Sequence, residues 1–381
     1  MAINDENVRI YTPHSEDVVL YHPGDFSLGD VESARLVGPK VVVVGGGTGL
    51  STMLKGLRDC TENITAVVTV ADDGGGSGVL RDEMGMLPPG DIRNCIMALA
   101  NAEPTMAQVL NYRFSEGSLA GQSFGNLFIA ALERVSGSFV EAVRRMSEVL
   151  AITGRVLPVT TENVKLCAEL ENGHTVVGES KVHDFKLAEH AKIKRMTLLP
   201  SDAEPLDDVL EAIDDADMIV LGPGSLYTSI IPNLLVDGVA DAIARAKALK
   251  VYVCNVMTQE GETEGLSAAD HLRAIIDHAG GQVVDVCLAN CVLPPDDVIE
   301  KYREEGAGPV IANADEIESL GAQLERRDLL RRGGDYARHD PRKLAAALAD
   351  IHARRNPRRG IYGRYDRLMA EWLASRAAEE D

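Results

Sequence analysis

The turn from Gly45 to Ser51 combines the residue types that hold phosphate groups. It follows four consecutive valines, Val41 to Val44, which are typical of a parallel strand buried on both faces. Glycines allow a tight turn and a close approach of a ligand. The first N–H groups of a following helix carry partial positive charge, so the sequence predicts a site for an anion such as a nucleotide diphosphate. The candidate ligand-binding residues here are Gly46, Gly47, Thr48, Gly49 and Ser51.

The turn does not match a known phosphate motif completely. A dinucleotide motif needs glycine where Leu50 stands, and the Gly-Lys-Ser/Thr of a Walker loop is absent from this turn. The pattern therefore specifies no cofactor and implies neither flavin nor NAD chemistry. A turn that only connects a strand to a helix is the alternative interpretation.

Three further loops share this character. Loops 72–78, 222–229 and 255–263 each follow a hydrophobic strand and are rich in glycine or polar residues. Ligands of open parallel sheets bind beyond the carboxyl ends of the strands, so we expect these loops and 45–51 to form one site. The candidates in the last two loops are Gly222, Pro223, Gly224, Ser225, Asn255 and Thr258.

Asp72 and Asp73 are adjacent carboxylates at a predicted strand end. They could coordinate Mg²⁺, which favours one or two carboxylates together with ligand phosphates. They could also bind ribose hydroxyls, or simply form an Asp-Gly turn. They are the only candidates for catalytic residues.

A helix predicted to start near Asp91 offers more polar side chains. Asp91 is interpreted first as the helix N-cap. Arg93 is a candidate clamp for phosphate or carboxylate, with a solvated helix arginine as the alternative. Asn94 could contact the ligand, and so could Gly125 and Asn126 at a later helix start. Alternatively, the two asparagines could cap their helices.

Several other chemistries are excluded. Gly222-Pro223-Gly224-Ser225 lacks the serine between glycines that a hydrolase elbow needs, and the nine histidines show no zinc-protease spacing. The six cysteines form no C-x-x-C pair. We interpret them as reduced core residues of a cytoplasmic protein, and we reject Cys287 and Cys291 as a metal pair because their neighbours are apolar.

The bulk composition limits the partners. The 381 residues carry a formal net charge of −21, which disfavours non-specific binding to nucleic acid or anionic membranes. No stretch approaches the roughly 20 apolar residues of a membrane span, and the first 38 residues contain no signal core. An anionic ligand must therefore be held by local groups.

The periodicity predicts an α/β protein with a Rossmann-like three-layer parallel sheet. We expect an N-terminal extension over 1–38, partly disordered, and an α/β domain over 39–330. A small antiparallel β insertion is predicted at about 154–200, and a helical segment over 331–381. That segment carries a cluster of basic residues, which we predict to be mainly a solvated face. The cluster consists of Arg354, Arg355, Arg358 and Arg359. The predicted strands are 40–44, 65–71, 217–221, 250–254 and 283–288, and the predicted helices include 51–59, 104–114, 125–151, 206–215 and 236–248.

Six motifs occur in order between 39 and 330. They are Gly-Gly-Gly-Thr-Gly-Leu-Ser at 45–51, Val-Ala-Asp-Asp-Gly-Gly-Gly-Ser-Gly-Val-Leu-Arg at 70–81, Pro-Pro-Gly-Asp-Ile-Arg-Asn-Cys at 88–95, Phe-Gly-Asn-Leu at 124–127, Gly-Pro-Gly-Ser-Leu-Tyr-Thr-Ser-Ile-Ile-Pro-Asn-Leu-Leu-Val at 222–236 and Asn-Val-Met-Thr-Gln-Glu-Gly-Glu-Thr at 255–263. Together they resemble the YvcK-type gluconeogenesis factors, which are similar to the 2-phospho-lactate transferase (CofD) superfamily. Gly76 departs from the commoner pattern, which has serine there.

The resemblance implies a nucleotide diphosphate over the first loop. It implies a cytoplasmic regulator that binds UDP-sugars, notably UDP-N-acetylglucosamine, and links gluconeogenic carbon metabolism to cell-wall synthesis and cell shape. The alternative is a Mg²⁺-dependent transferase of the phospholactate type, which would join a nucleoside-diphosphate-activated donor to a deazaflavin. Aromatic residues are only 4% of the chain, which favours binding without a deazaflavin pocket. We also expect a homo-oligomer.

Overall fold

The computed structural model describes residues 33–189 and 191–378. The predicted extension over 1–38 therefore lies outside the described residues, apart from its last part, 33–38.

The described residues form a central parallel sheet and a small antiparallel one. The strands are β1 (Val41–Gly45), β2 (Ile64–Val68), β3 (Arg155–Pro158), β4 (Lys165–Leu170), β5 (Thr175–Val177), β6 (Ile193–Leu199), β7 (Met218–Leu221), β8 (Leu249–Val253), β9 (Val286–Asn290) and β10 (Gln323–Arg327). Seven of them form one sheet in the order β10-β9-β8-β7-β1-β2-β3, and every pairing in it is parallel. The Rossmann-like α/β fold is confirmed.

The strand order reverses next to β1. The chain first builds outward from β1 to β2 and β3, then returns and continues from β7 on the other side of β1. Val41 is paired with Ile64 of β2 and with Met218 of β7. All four valines of β1 are buried, as their β-branched run predicts. A crevice at the carboxyl ends of β1 and β7 is the expected ligand position for this topology.

Helices flank the sheet. They are α1 (Gly47–Leu57), α2 (Gly75–Met84), α3 (Gly90–Leu99), α4 (Pro104–Asn111), α5 (Phe124–Ser136), α6 (Phe139–Val149), α7 (Glu179–Glu189), α8 (Asp207–Asp214), α9 (Ile231–Leu234), α10 (Val239–Arg245), α11 (Ala268–Ala279), α12 (Asp296–Glu304), α13 (Ala314–Ser319), α14 (Pro341–Arg355) and α15 (Ile361–Ala378). A π-helical turn, Leu226–Ile230, precedes α9.

Two predicted loops are shorter than expected. Glycines 47 and 49 belong to the first turn of α1, which was predicted to start at residue 51. Likewise α2 starts at Gly75, inside the predicted loop 72–78. Sequence reasoning treats glycine as a helix breaker, but at a helix N-terminus it lets other chain segments approach the first turn.

The single helix predicted over 125–151 is wrong, because the structure has two helices there, α5 and α6. Gly137 lies between them at a φ of 84°, a left-handed conformation that favours glycine. Ser138 then caps α6 by accepting a hydrogen bond from the Glu141 N–H at 3.2 Å. The pair Gly137-Ser138 is a helix stop followed by a helix start.

The β insertion is smaller than predicted. β3, which lies inside the predicted range of about 154–200, pairs with β2 and is the edge strand of the main sheet. The small sheet has the order β5-β4-β6 and is antiparallel, and α7 connects β5 to β6. β3 was misassigned because a four-residue edge strand gives too little periodicity to show its partner.

The C-terminal basic cluster is largely paired rather than solvated. Arg355 contacts Glu325 of β10 at 2.6 Å, and Arg354 contacts the same carboxylate at 3.3 Å. Arg358 donates from Nε to Asp366 Oδ2 at 2.8 Å. The pairs with Glu325 join α14 to the main sheet, and the pair of Arg358 with Asp366 joins α15 to the segment that follows α14.

Four cysteines are buried free thiols, as predicted for core residues: Cys60, Cys95, Cys254 and Cys287. Cys167 is half-buried and Cys291 is exposed.

No single helix among the described residues is long and apolar enough to cross a membrane. One bent pair of helices, Leu226–Leu234 with Val239–Arg245, has the length and composition of a membrane span, by these two criteria only.

Candidate functional site

The loops that follow β1 and β7 meet at the switch point, as predicted. Asn233 Nδ2 donates to the Gly45 carbonyl oxygen at 3.2 Å. A Cβ atom added to Gly49 would lie 2.5 Å from the Pro223 carbonyl oxygen. Side chains larger than hydrogen are therefore excluded where the two backbones cross.

A cavity of about 320 Å³ opens between these loops, at the lower end of the size range of small-molecule sites. Nine predicted ligand-binding residues line it: Gly46, Gly47, Thr48, Gly49, Pro223, Gly224, Ser225, Asn255 and Thr258. The cavity thus gathers residues from three of the four predicted loops.

Hydrogen bonds fix the loop after β8 against the loop after β7. Asn255 Nδ2 donates to the Gly224 carbonyl oxygen at 2.9 Å, and Gln259 Nε2 donates to Ser225 Oγ at 3.0 Å. Thr258 is held from behind, because its N–H donates to the Gly308 carbonyl oxygen at 2.8 Å and its Oγ1 accepts from the Gly308 N–H at 2.9 Å. The cavity wall is therefore preformed.

The N-terminus of α1 faces this cavity. Its N-cap is Gly46, which has no side chain to cap the helix, and its first turn contains no acidic residue. The Gly47 N–H donates to the carboxylate of Asp91. The prediction that Asp91 caps its own helix is wrong, because α3 starts at Gly90 with Pro89 as its N-cap. It serves the start of α1 instead.

Acidic side chains surround the crevice on the α2 and α7 side. Burial and then the charge of Asp72 raise the pKa of Asp91 to about 6. Burial likewise raises the pKa of Asp72. Burial, followed by the charges of Asp72 and Asp73, raises the pKa of Glu179 to about 8. Such shifts are typical of functional sites, and the local negative charge favours a ligand that arrives with a cation.

Asp72 and Asp73 differ in how well they fit Mg²⁺. Asp73 caps α7, because its carboxylate oxygens accept from the N–H groups of Glu179 at 3.1 Å and Ser180 at 2.9 Å. Asp72 accepts from the Gly74 N–H at 2.8 Å. Within the described ranges, no group of three or more His, Cys, Asp or Glu side chains is arranged to hold a metal ion. Asp72 would therefore need the phosphates of a ligand to complete a Mg²⁺ site.

The predicted residues on α3 and α5 form a second polar group outside the cavity lining. Arg93 is buried and donates to Ser123 Oγ and, at 2.6 Å, to Asn94 Oδ1. Gly125 lets the Arg93 side chain pass close to α5, since a Cβ there would lie 2.6 Å from Arg93 Cδ. Asn126 is buried, and its Oδ1 has no hydrogen-bond partner among the described residues.

Two other predicted ligand residues also lie outside the cavity lining. Ser51 Oγ donates to the Thr48 carbonyl oxygen at 2.9 Å, within the first turns of α1. Gly222 is buried and does not line the cavity, whereas its neighbour Pro223 does.

Sequence reasoning missed the wall that comes from later in the chain. Tyr302 of α12 and the segment between β10 and α14 also line the cavity, the latter through Tyr336, Ala337, Arg338 and His339. The segment follows β10, which sequence reasoning also missed, because three of the five residues of that strand are charged and it contains no apolar run. Without that strand, nothing in the sequence placed the segment at the edge of the sheet where the other loops lie.

Comparisons with known proteins agree with the motifs. The family model of 2-phospho-L-lactate transferase CofD matches residues 41–330. A protein from Thermoanaerobacterium thermosulfurigenes is 55% identical over 318 residues, which cover 84% of this chain and 98% of the relative. The gluconeogenesis factor of Bacillus subtilis is 45% identical over 314 residues, which cover 82% of this chain and 98% of that protein.

Solved structures give the same answer for the fold. A crystal structure of a Bacillus halodurans protein has a TM-score of 0.79 and 46% identity to this chain, and the match covers 82% of this chain and 99% of the other. The chain therefore belongs to the CofD family and, within it, is related to the YvcK-type gluconeogenesis factors.

Proposed function

We propose that this protein binds a nucleoside-diphosphate sugar, of the UDP-N-acetylglucosamine kind, and acts as a regulator that links gluconeogenic carbon metabolism to cell-wall synthesis and cell shape. We place it in the cytoplasm, as a homo-oligomer. The diphosphate would lie against the N-terminus of α1, with Gly224 and Ser225 on the opposite side. The name of the B. subtilis relative supports the metabolic part of this proposal.

One observation carries the binding part. The N-terminus of α1, whose first turn contains no acidic residue, the loop after β7 and Arg338 border one cavity at the switch point of a parallel sheet. Helix N-termini and guanidinium groups both bind phosphate groups. In a chain of net charge −21, these local donors are the groups that can hold an anionic ligand, and a cation bound with the ligand would offset the acidic side chains on the α2 and α7 side.

The test is calorimetric titration of the full chain with UDP-N-acetylglucosamine, GDP and NAD, each with and without Mg²⁺. We expect the uridine ligand to bind best. Equal binding of all three, or no binding of any, would contradict the proposal.

Arg338 offers a matched pair of variants for the same titration. Arg338→Gln removes the guanidinium that lines the cavity and should weaken UDP-N-acetylglucosamine about tenfold or more, because charge-assisted bonds are worth about 1.5–3 kcal/mol. Arg331→Gln changes an exposed arginine of the same segment outside the cavity lining and should leave the affinity unchanged. Equal effects of the two changes would exclude a specific role of Arg338.

We also propose that Mg²⁺ assists binding through Asp72. Asp72→Asn should remove the dependence of affinity on Mg²⁺, whereas Asp73→Asn should mainly destabilise α7, whose N-terminus Asp73 caps. A Mg²⁺ dependence that survives in Asp72→Asn would exclude Asp72 as a ligand.

The family model favours a second candidate, a transferase of the 2-phospho-lactate type. Such a reaction would break the diphosphate of an activated donor, transfer its terminal phosphoryl group with its substituent to an acceptor hydroxyl and release a nucleoside monophosphate. Release of monophosphate that requires an added acceptor would favour this candidate. Binding without turnover would favour the regulator.

A further inference from the structure

The helix α4 exposes apolar side chains on its outer side. It packs against α5 and buries only Leu110. Within the described ranges of the chain, Met106 is 46% exposed, Val109 is 41% exposed, and the C-cap residue Tyr112 is 54% exposed. Met106 and Val109 are three positions apart and are therefore neighbours on the helix surface. An ordinary surface helix has polar residues at such positions.

The chain continues from Tyr112 into a hairpin that extends this exposed surface. The Phe114 N–H donates to the Gln122 carbonyl oxygen at 2.9 Å, and the Phe124 N–H donates to the Tyr112 carbonyl oxygen at 2.8 Å. The rings of Tyr112 and Phe114 pack edge to face, with their centroids 5.1 Å apart. Leu119, in the turn of the hairpin, is also exposed. These contacts hold the apolar side chains in a defined arrangement.

We refer to residues 103–121 as the α4 surface. Every residue in this range except Ala107, Leu110 and Phe114 is exposed. The range supplies most of the roughly 20 residues that each partner contributes to a protein interface of standard size. Methionine and aromatic residues are enriched in such interfaces, and exposed apolar patches on soluble proteins mark interaction sites. The α4 surface therefore has the size and composition of an interface.

The two ends of α4 carry opposite charges. Glu103, the N-cap residue, is exposed, and so is Arg113, which follows the C-cap. Arg113 donates from Nη1 to the Gly121 carbonyl oxygen, and a guanidinium group has five N–H donors in all. Charges of these signs also suit the dipole of α4 itself. The dipole does not account for the apolar side chains between them.

A second copy of the α4 surface, turned antiparallel, is complementary to the first. A twofold axis through the middle of α4 brings three pairs of positions opposite each other, and each pair matches in charge or in apolar character. The pairs are Glu103 with Arg113, Pro104 with Tyr112, and Met106 with Val109. Their midpoints lie at or next to Gln108, so a single axis satisfies all three. A parallel arrangement would place like charges opposite each other.

Other occupants match the α4 surface less well. An anionic membrane would be repelled by a chain of net charge −21, and Glu103 and Glu116 lie within the surface itself. A basic partner would meet Arg113 with a like charge, and an acidic partner would meet Glu103 with one. A second copy carries both signs in the matching positions.

We propose that the α4 surface is the interface of a homodimer, in which two copies of α4 pack antiparallel across a twofold axis. The inference rests on the homo-oligomer in the proposed function and does not depend on which ligand the protein binds. The interface is joined to the candidate ligand residues on α3, because Arg93 donates to Ser123 Oγ at the end of the hairpin.

The first test places a charge in the centre of the interface. Analytical ultracentrifugation of the full chain, without nucleotide and across a wide range of concentration, measures the association. We expect the wild type to be a dimer and Val109→Glu to weaken dimerisation about a hundredfold or more, since an unpaired charge is costly to bury. Val135→Glu is the matched control and should match the wild type, because Val135 is also an exposed valine but lies on α5.

The second test exchanges the charges at the two ends of α4. Glu103→Arg and Arg113→Glu each place like charges opposite each other, so each should weaken dimerisation about tenfold or more. In a heterodimer of these two variants, both ion pairs are present again with their signs exchanged. An equimolar mixture should therefore associate within about threefold of the wild type. Such a rescue also shows that both variants are folded.

The outcomes separate this inference from the proposed function. A wild type that stays monomeric would refute both the homo-oligomer and the α4 interface, and the nucleotide titrations would still decide the binding proposal. A wild-type dimer that Val109→Glu does not weaken would overturn this inference alone, because the interface would then lie elsewhere. Equal weakening by Val109→Glu and Val135→Glu, or a mixture of the charge variants that does not associate, would exclude the antiparallel arrangement.

Discussion

We expect protonation of the Asp91 carboxyl group to be coupled to anion binding at the start of α1. Its carboxylate accepts the Gly47 N–H, so it occupies part of the positive end of α1 with a negative charge of its own. Burial and the charge of Asp72 raise its pKa to about 6. A bound diphosphate adds further negative charge nearby, so binding and protonation of Asp91 should favour each other.

We therefore expect UDP-N-acetylglucosamine to bind more weakly as the pH rises from 5 to 8 without Mg²⁺. In Asp91→Asn the amide oxygen can still accept from Gly47, but the charge is gone, so affinity at pH 8 should rise severalfold. The pH profile should flatten between 5 and 7, with the remaining slope at higher pH from Glu179, whose pKa is about 8. Because the raised pKa belongs to the folded chain, wild-type stability should fall as the pH rises through about 6.

Titration calorimetry and urea unfolding across this pH range check the prediction. Glu133→Gln is the control, because burial also raises the pKa of Glu133 but that residue lies on α5, outside the cavity lining. A profile of Asp91→Asn that follows the wild type would show that Asp91 does not sense the ligand.

At the scale of elements, α1 is held at both ends by close backbone contacts. Gly49 at its start lies against Pro223 of the loop after β7, and Gly56 near its end lies against the carbonyl of Pro341 at the start of α14. The first contact borders the cavity and the second lies outside the cavity lining. The helix therefore offers a matched pair of positions for separating packing from binding.

Gly49→Ala and Gly56→Ala should each lower the free energy of unfolding, by about 1–3 kcal/mol, because each added methyl group meets backbone. Only Gly49→Ala should also reduce the affinity for UDP-N-acetylglucosamine, by tenfold or more, since it moves the loops that line the cavity. Urea unfolding and calorimetry measure the two effects. Retained affinity in Gly49→Ala, or an equal loss in Gly56→Ala, would argue against binding at this loop pair.

The sequence predicted the elements whose signals are local. The valine run of β1 and the glycines after it gave the central strand and its turn, and the rule for parallel sheets brought the loops after β1 and β7 together. The break at Gly137 and the edge position of β3 were missed. The first depends on one left-handed residue inside a helical pattern, and the second depends on a partner strand far along the chain.

The cavity wall from Tyr302 and the segment 331–340 could not be predicted by the same reasoning. The segment follows the carboxyl end of β10, but three of the five residues of that strand are charged, so no hydrophobic run indicated it, and Tyr302 comes from α12. The half of the site that carries the motifs can therefore be predicted from the sequence, and the half that comes from Tyr302 and the segment 331–340 cannot.

At the scale of the whole molecule, the C-terminal helices hold part of the site in place. The segment that carries Arg338 and His339 is fixed on one side by β10 and on the other by α14. Lys343 of α14 contacts Asp328, just after β10, at 2.9 Å. Glu325 of β10 joins Arg355 and Arg354 of α14. Through these contacts the C-terminal part stabilises the segment that lines the cavity.

Glu325 is the centre of this support, because its side chain is only 10% exposed and also lies 3.0 Å from Arg327. Burial opposes its charge, but the hydrogen bond from Arg355 and the charges of Arg354 and Arg327 hold its pKa below the usual value. Since the pKa is lowered in the folded chain, the stability that the carboxylate adds is present above about pH 4 and is lost as the pH falls further.

Glu325→Gln should lower the free energy of unfolding at pH 7 by about 1–3 kcal/mol, because it leaves the arginines around a neutral group. Glu169→Gln removes an exposed carboxylate that contacts Lys194 at 2.6 Å and should cost less than about 0.5 kcal/mol. Urea unfolding of both variants at pH 7 and pH 3.5 measures the difference, which should shrink at the lower pH. If Glu325→Gln costs no more than Glu169→Gln at pH 7, these ion pairs do not secure α14, and the cavity wall must be held by apolar packing instead.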